Sequence, residues 1–175
     1  MQRALVFILA NAALFQIGWF VCVLLGSFSA ALFTCSLLIM HFYFSPIRIR
    51  DAISVVVAVI LGIVHDVSLM QLGLVEFTES SAFPPLWLNC LWVLFAITLN
   101  HSMLWLYKRW LLASLVGGIA GPLTYLAGVQ LSSAQWSSSL VEVVPIIVGL
   151  WLLILPLHRL LCLRVERYVY EFHSI

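Results

Sequence analysis

Charge is what this sequence has least of. Only 9% of its 175 residues are Asp, Glu, Lys or Arg, and 64% are hydrophobic. A soluble domain is nearer a quarter charged and half apolar, so a water-soluble globular chain is excluded. Eight Lys and Arg stand against seven Asp and Glu, for a net charge of +1. No basic patch exists to neutralise phosphates, which excludes nucleic acid as a partner. Polar connections are short, so an extramembrane domain cannot be built. The four cysteines (Cys22, Cys35, Cys90, Cys162) lie in or beside apolar runs and form no Cys-x-x-Cys pair. They read as small core hydrophobes, not as a disulfide framework or zinc site. Gly-x-Ser-x-Gly, His-x-x-x-His and a glycine-rich phosphate loop are all missing. No catalytic motif of useful specificity is present, and neither a cofactor nor a metal is expected.

What the chain does have is apolar runs. A bilayer core about 30 Å thick takes about 20 helical residues. The runs at about 4–25, 28–44, 52–72, 86–106, 110–129 and 140–161 predict six transmembrane helices in one domain over 1–175. The small residues around Ser27-Phe28-Ser29-Ala30 look like a leader cleavage site. Cleavage is rejected because the first run is itself long enough to span and another follows at once. Gly26-Ser27 is read as a tight turn, and Ser45-Pro46 ends the second run, since proline lacks an amide donor and restricts its predecessor. Arg164 to Ile175 reads as a helical surface extension.

Six spans put both termini on one side, together with Arg3, Arg48, Arg50, Lys108, Arg109, Arg159, Arg164 and Arg167. The other side receives Glu76, Glu79 and Glu142 and no basic residue. The positive-inside rule then makes both termini cytoplasmic. Trp87, Trp110 and Trp136 fall near predicted span ends, where indoles anchor at headgroup level.

The candidate interior residues sort by depth. Asn11 and Gln16 lie mid-membrane, His41, Asn100 and His101 in the cytoplasmic halves, and His65, Asp66, Asn89 and Glu142 toward the outside. Asp66 sits inside a long apolar run, where a charge costs at least about 2.5–3.5 kcal/mol and so faces a bundle interior or wet cavity. Asn89 and Asn100 share one face of their helix, and Gly62, Asp66 and Gly73 one face of theirs. Gly117 and Gly121 make a small-xxx-small pair continued by Tyr125 and Gly128. These three faces are expected to meet. The amides read first as interhelical hydrogen-bond donors and acceptors. The functional alternatives are a proton- or cation-linked site at Asp66, and a metal or hydrolase site drawing on His41, His65, Asp66 and His101. A single metal centre is disfavoured because His65 and His101 fall in different halves, whereas ligands must share a depth.

Three stretches carry a family resemblance: 11–24, 86–106 and 118–128. Through Phe15-Gln16-x-Gly18-Trp19 and Thr98-Leu99-Asn100-His101-Ser102 above all, the chain resembles a proteobacterial family of small multi-span inner-membrane proteins of unknown function. The resemblance covers nearly the whole chain. It implies a multi-pass protein of the bacterial inner membrane and no known activity. Members tend to be encoded near enzymes that modify membrane fatty acids, which implies a lipid or envelope setting. At the level of fold alone, Gly62-x-x-x-Asp66 with Leu72-Gly73 resembles the rod-shape-determining protein MreD. It is also similar to the substrate-binding subunits of energy-coupling-factor transporters.

Three functions follow as expectations. The first is a non-enzymatic accessory or scaffold in lipid modification or envelope assembly, with a membrane-protein partner. The second is a transporter-like subunit binding a lipid or small molecule in an outward pocket of Asp66, Asn89, Tyr125 and Glu142. The third is an intramembrane lipid-acting enzyme, using His65 and Asp66 or Asn100 and His101. In each the bilayer itself is a partner.

Overall fold

The computed structural model describes residues 2–78 and 82–172, with side chains for 5–78 and 82–171. Glu79 and the side chain of Arg3 lie outside the described residues. The fold is an all-α membrane bundle. Helices α1 (Gln2–Phe44), α2 (Arg48–Gln71), α5 (Trp110–Leu131) and α6 (Leu140–Phe172) are long and apolar enough to cross a bilayer. Two shorter helices, α3 (Leu86–Leu99) and α4 (Leu104–Tyr107), lie between them.

The 43 residues of α1 are a helical hairpin. Gly26 breaks the helix with φ 75° and ψ −176°, a conformation open to glycine because it has no Cβ. Phe7 and His41 would stand about 51 Å apart on a straight helix, yet their rings are 6.1 Å apart. Small residues close the hairpin near its turn. Cys22 and Ala30 are fully buried, and a Cβ on Gly18 would come within 2.7 Å of the Phe33 ring and 2.6 Å of Leu94. Toward the termini, bulkier Phe7, Leu14, Leu37 and Met40 hold the arms apart around a cavity of about 340 Å³.

The hairpin packs on α3, α2 packs on both α3 and α6, and α5 packs on α6. Gly117, Gly118 and Gly121 of α5 therefore face α6. A Cβ on Gly117 would lie 2.9 Å from the Trp151 carbonyl, and one on Gly121 2.1 Å from the Trp151 ring. The expectation that this glycine face meets α2 and α3 is corrected: only Tyr125, one turn further on, reaches α2. Gly62 of α2 does meet α3, where its Cβ would lie 2.3 Å from Trp92.

The apolar run over 86–106 predicts one continuous helix. The helix stops at Leu99, and Asn100–Met103 form an irregular turn before α4. Fourteen residues reach about 21 Å, short of a 30 Å core. Asn100, His101 and Ser102 supply polar side chains that compete with helical bonding. Irregular backbone survives at membrane depth where protein buries it. Here Asn11 of α1 does part of that work. Its Nδ2 donates to the Ile97 carbonyl (3.1 Å), and its Oδ1 accepts from the Ser102 hydroxyl (2.6 Å). We expect Asn11→Leu to lower stability by about 1 kcal/mol, the scale of interhelical hydrogen bonds in membranes, read as a lower melting temperature in detergent.

At the opposite end two connections pair as an antiparallel ribbon, β1 (Val75–Phe77) with β2 (Ala134–Trp136). These segments read as plain loops in the sequence. Phe77 covers Trp87 at 6.0 Å, so Trp87 is 5% exposed and is a core residue, not an interfacial anchor. Trp110 is exposed as expected. The 33 residues of α6 span about 50 Å, well beyond a bilayer core, and Glu166 near its end meets Arg50 at 3.3 Å.

Candidate functional site

The chain has two aspartates, Asp51 and Asp66, and both are fully buried on α2. Fifteen residues separate them, about 22 Å along the helix. Each anchors a polar cluster, one at each end of the bundle.

Asp66 is the one that stands out in the sequence. Its Oδ2 accepts from Trp92 Nε1 (2.8 Å), and its Oδ1 accepts from the Tyr125 hydroxyl and lies 2.7 Å from His65 Nδ1. The Tyr125 hydroxyl is also 3.1 Å from His65 Nδ1. His65 and Asp66 therefore share a partner although they are neighbours in sequence. Trp92 stacks on Trp151 with centroids 5.4 Å apart and planes 11° off parallel. Three helices, α2, α3 and α5, thus meet at one carboxylate, and α6 joins them through the stacked Trp151. Among the described residues, His65 Nε2 and Trp151 Nε1 are buried without a partner.

Of the four residues expected to line an outward pocket, Tyr125 meets Asp66, and the gaps of about 20 and 60 Å³ beside Tyr125 have lining residues other than Asn89 and Glu142. Asn89 turns away, and its Nδ2 donates to the Pro84 and Pro85 carbonyls at the start of α3 (3.1 Å each). Glu142 is exposed in the first turn of α6, and Gln16 is exposed on the outer face of α1. Asn89, Glu142 and Gln16 are thereby removed from any shared site with Asp66.

Asp51 is the residue the sequence reading passed over, because Arg48 and Arg50 around it look like a solvated basic loop. Those residues instead open α2, and Asp51 in its first turn points inward. Its Oδ2 lies 2.9 Å from His41 Nε2 and 2.9 Å from His101 Nε2, and accepts from the Ser45 hydroxyl at 2.5 Å. Its Oδ1 accepts from Asn100 Nδ2 at 3.1 Å. The cluster thus draws on α1, the Ser45 turn, α2 and the break after α3. Asn100 and His101 of the break both reach Asp51. His41, Asn100 and His101 share a depth in the sequence, and that match is the signal that could have led to Asp51.

A larger cavity lies at this end. The cavity between the hairpin arms is lined by Val6, Phe7, Leu14, Leu37, Met40 and Phe44 and reaches His41 and Asn11. Phe7 stands between cavity and cluster, edge-on to His101 at 5.1 Å. The arrangement is an apolar groove ending on a His–Asp–His constellation. It is not a Ser-His-Asp triad, since Ser45 donates to the carboxylate and not to an imidazole.

A third polar contact lies nearby. His158 Nε2 donates to the Ser54 carbonyl (3.0 Å), which leaves Nδ1 to accept from the Tyr107 hydroxyl (2.8 Å). Sequence reading did not single out His158. Its bonds tie α6 to α2 and α4 and are saturated.

No curated protein matches the chain, and no solved structure does. A family described as "Protein of unknown function (DUF2878)" matches residues 8–157, most of the chain, and the protein therefore belongs to that family.

Proposed function

We propose that the protein is a lipid-binding accessory protein of the bacterial inner membrane, whose working end is the Asp51 cluster with its groove. In this reading it crosses the membrane six times. The two arms of α1 count separately, and α3, the break and α4 together make one crossing. Both termini are cytoplasmic, which keeps Arg48, Arg50, Lys108, Arg109, Arg159, Arg164 and Arg167 on the positive-inside face. The groove then opens to the inner leaflet. An acyl chain lies between the arms of α1, and the polar end of the lipid meets His41.

One observation carries this: an apolar gap of about 340 Å³ between the arms of α1 is lined in part by His41, a member of the buried Asp51 cluster. Its volume is in the range of small-ligand sites, which are mostly apolar with a few fixed polar groups. Asp66 supports the division of labour, because its oxygens are taken up by Trp92, Tyr125 and His65. The site belongs to a lipid-exposed flank, so lipid can enter sideways from the bilayer.

Native mass spectrometry of the detergent-purified protein tests it. Wild type is expected to retain one phospholipid or fatty acid through delipidation. Ala10→Trp, which fills the groove from an exposed position, is expected to lose it. Equal retention by both would sink the reading.

A second reading, an intramembrane lipid-acting enzyme, is favoured by the convergence of two imidazoles, a carboxylate and a hydroxyl at one depth. Time-dependent conversion of the retained lipid, absent in Asp51→Asn, separates it from simple binding.

A further inference from the structure

We infer that His41, Asp51 and His101 form a binding site for one divalent first-row transition-metal ion. The inference deepens the reading above, since it names what the polar end of the groove holds. It rests on that reading only for its setting, not for its chemistry.

Three observations converge. The first is the donor set. Two imidazole nitrogens and one carboxylate oxygen, from three separate segments, lie within 4.8 Å of one another. Two histidines with one carboxylate are the ligand type of catalytic transition-metal centres that leave coordination positions open. The second is spacing. Ligands at right angles on an ion about 2.1 Å away stand about 3.0 Å apart, whereas tetrahedral ligands stand about 3.4 Å apart. Both Nε2 atoms are 2.9 Å from Asp51 Oδ2 and within 4.8 Å of each other, close enough for all three atoms to reach one ion. The third is crowding. Oδ2 faces three prospective donors, His41, His101 and Ser45, while a carboxylate oxygen offers about two lone-pair sites. As a hydrogen-bond network the oxygen is overcommitted. With an ion between the three ligand atoms, each imidazole turns a lone pair on the metal and the competition disappears.

The surroundings fit such a centre. Asn100 holds the other carboxylate oxygen, and Ser45 also bonds to the Ile47 amide (3.1 Å), fixing the turn that carries the cluster. Partners of this kind orient metal ligands and hold their geometry. Phe7 packs against both imidazoles, and the groove beyond it reaches His41. His41 is thus shared between the cluster and the cavity lining. Among the described residues, His65 belongs to no such group of three possible ligands.

The test uses the full chain, purified in mild detergent through an affinity tag free of histidine. Metal content by mass spectrometry is expected to approach one transition-metal equivalent per chain. After stripping with chelator, Co²⁺ is expected to restore one equivalent with a visible d–d absorption. His101→Gln retains an amide donor toward Asp51 but is a poor ligand, so it separates metal loss from misfolding. It is expected to remain monodisperse with a cooperative melt and to bind Co²⁺ at least tenfold more weakly. His41→Gln is expected to match it, and His65→Gln to bind as wild type does. A folded wild type that takes up neither Co²⁺ nor Zn²⁺ overturns the proposal. So does equal Co²⁺ affinity in wild type and His101→Gln. Metal retained by a chain that holds no lipid would refute the lipid reading and leave this one standing.

Discussion

Asp66→Leu is expected to destabilise the protein by about 3 kcal/mol, because it strands three buried polar groups at once. Trp92 Nε1, the Tyr125 hydroxyl and His65 Nδ1 all converge on the Asp66 carboxylate. Each orphaned group costs about 1–3 kcal/mol. Membrane interiors lower that figure, since interhelical hydrogen bonds there average about 0.6 kcal/mol. The sum stays large because the three groups are buried together and have no water to turn to. Asp66→Asn keeps one acceptor oxygen, so about half the loss is expected. The amide nitrogen replaces the other oxygen and faces a donor. Melting temperature in detergent reads both. A melt for Asp66→Leu within a degree of wild type would show that the cluster contributes nothing to stability.

The second large effect is steric. Gly62 and Gly121 press on the two faces of one stacked indole pair, Trp92 and Trp151. An added Cβ would lie 2.3 Å from Trp92 or 2.1 Å from Trp151, far inside van der Waals contact. An indole is rigid and cannot swing aside as a methionine would. Overpacking of this kind costs about 1–3 kcal/mol, so Gly62→Ala and Gly121→Ala are each expected to lose that much. Displacing Trp92 also strains its bond to Asp66, which puts Gly62→Ala toward the upper end. The two losses are not expected to add, because the shifted rings touch each other. A double-variant cycle with strict additivity would mean that the stack does not transmit the strain. Gly128→Ala is the control, since a Cβ there meets nothing within 4 Å.

The two ends of α2 differ in how legible they were. Asp66 announces itself as an acid in an apolar run, and its burial follows from what charge costs there. Its partners did not follow. Trp92 is an ordinary apolar residue by composition, and only the approach of Gly62 to the indole brings its nitrogen to the carboxylate. Asp51 hides for the opposite reason. Arg48 and Arg50 flank it, so period and composition suggest solvent, and the inward turn of the helix start shows only in three dimensions. The hairpin at Gly26 was readable because Gly-Ser interrupts two long apolar runs. The end of α3 at Leu99 was not, because Leu-rich hydropathy continues through Leu106. Its Asn100-His101-Ser102 triplet is the local signal of a break, and that same triplet supplies two of the Asp51 partners. The ribbon of β1 and β2 was invisible because three residues per strand carry no period, and each strand depends on the other for its bonds.

The division between the two clusters is the core of this account: Asp66 holds the bundle together and Asp51 with its groove does the work. A ligand that binds only the folded chain raises its stability by RT ln(1 + [L]/Kd). The decisive measurement is therefore the melting shift that added phospholipid produces in delipidated wild type, Asp66→Asn and Ala10→Trp. The account predicts a lower starting melt for Asp66→Asn with an undiminished lipid shift, and a near-normal starting melt for Ala10→Trp with the shift abolished. A lipid shift lost in Asp66→Asn and kept in Ala10→Trp would contradict it and move the site to the other end of α2.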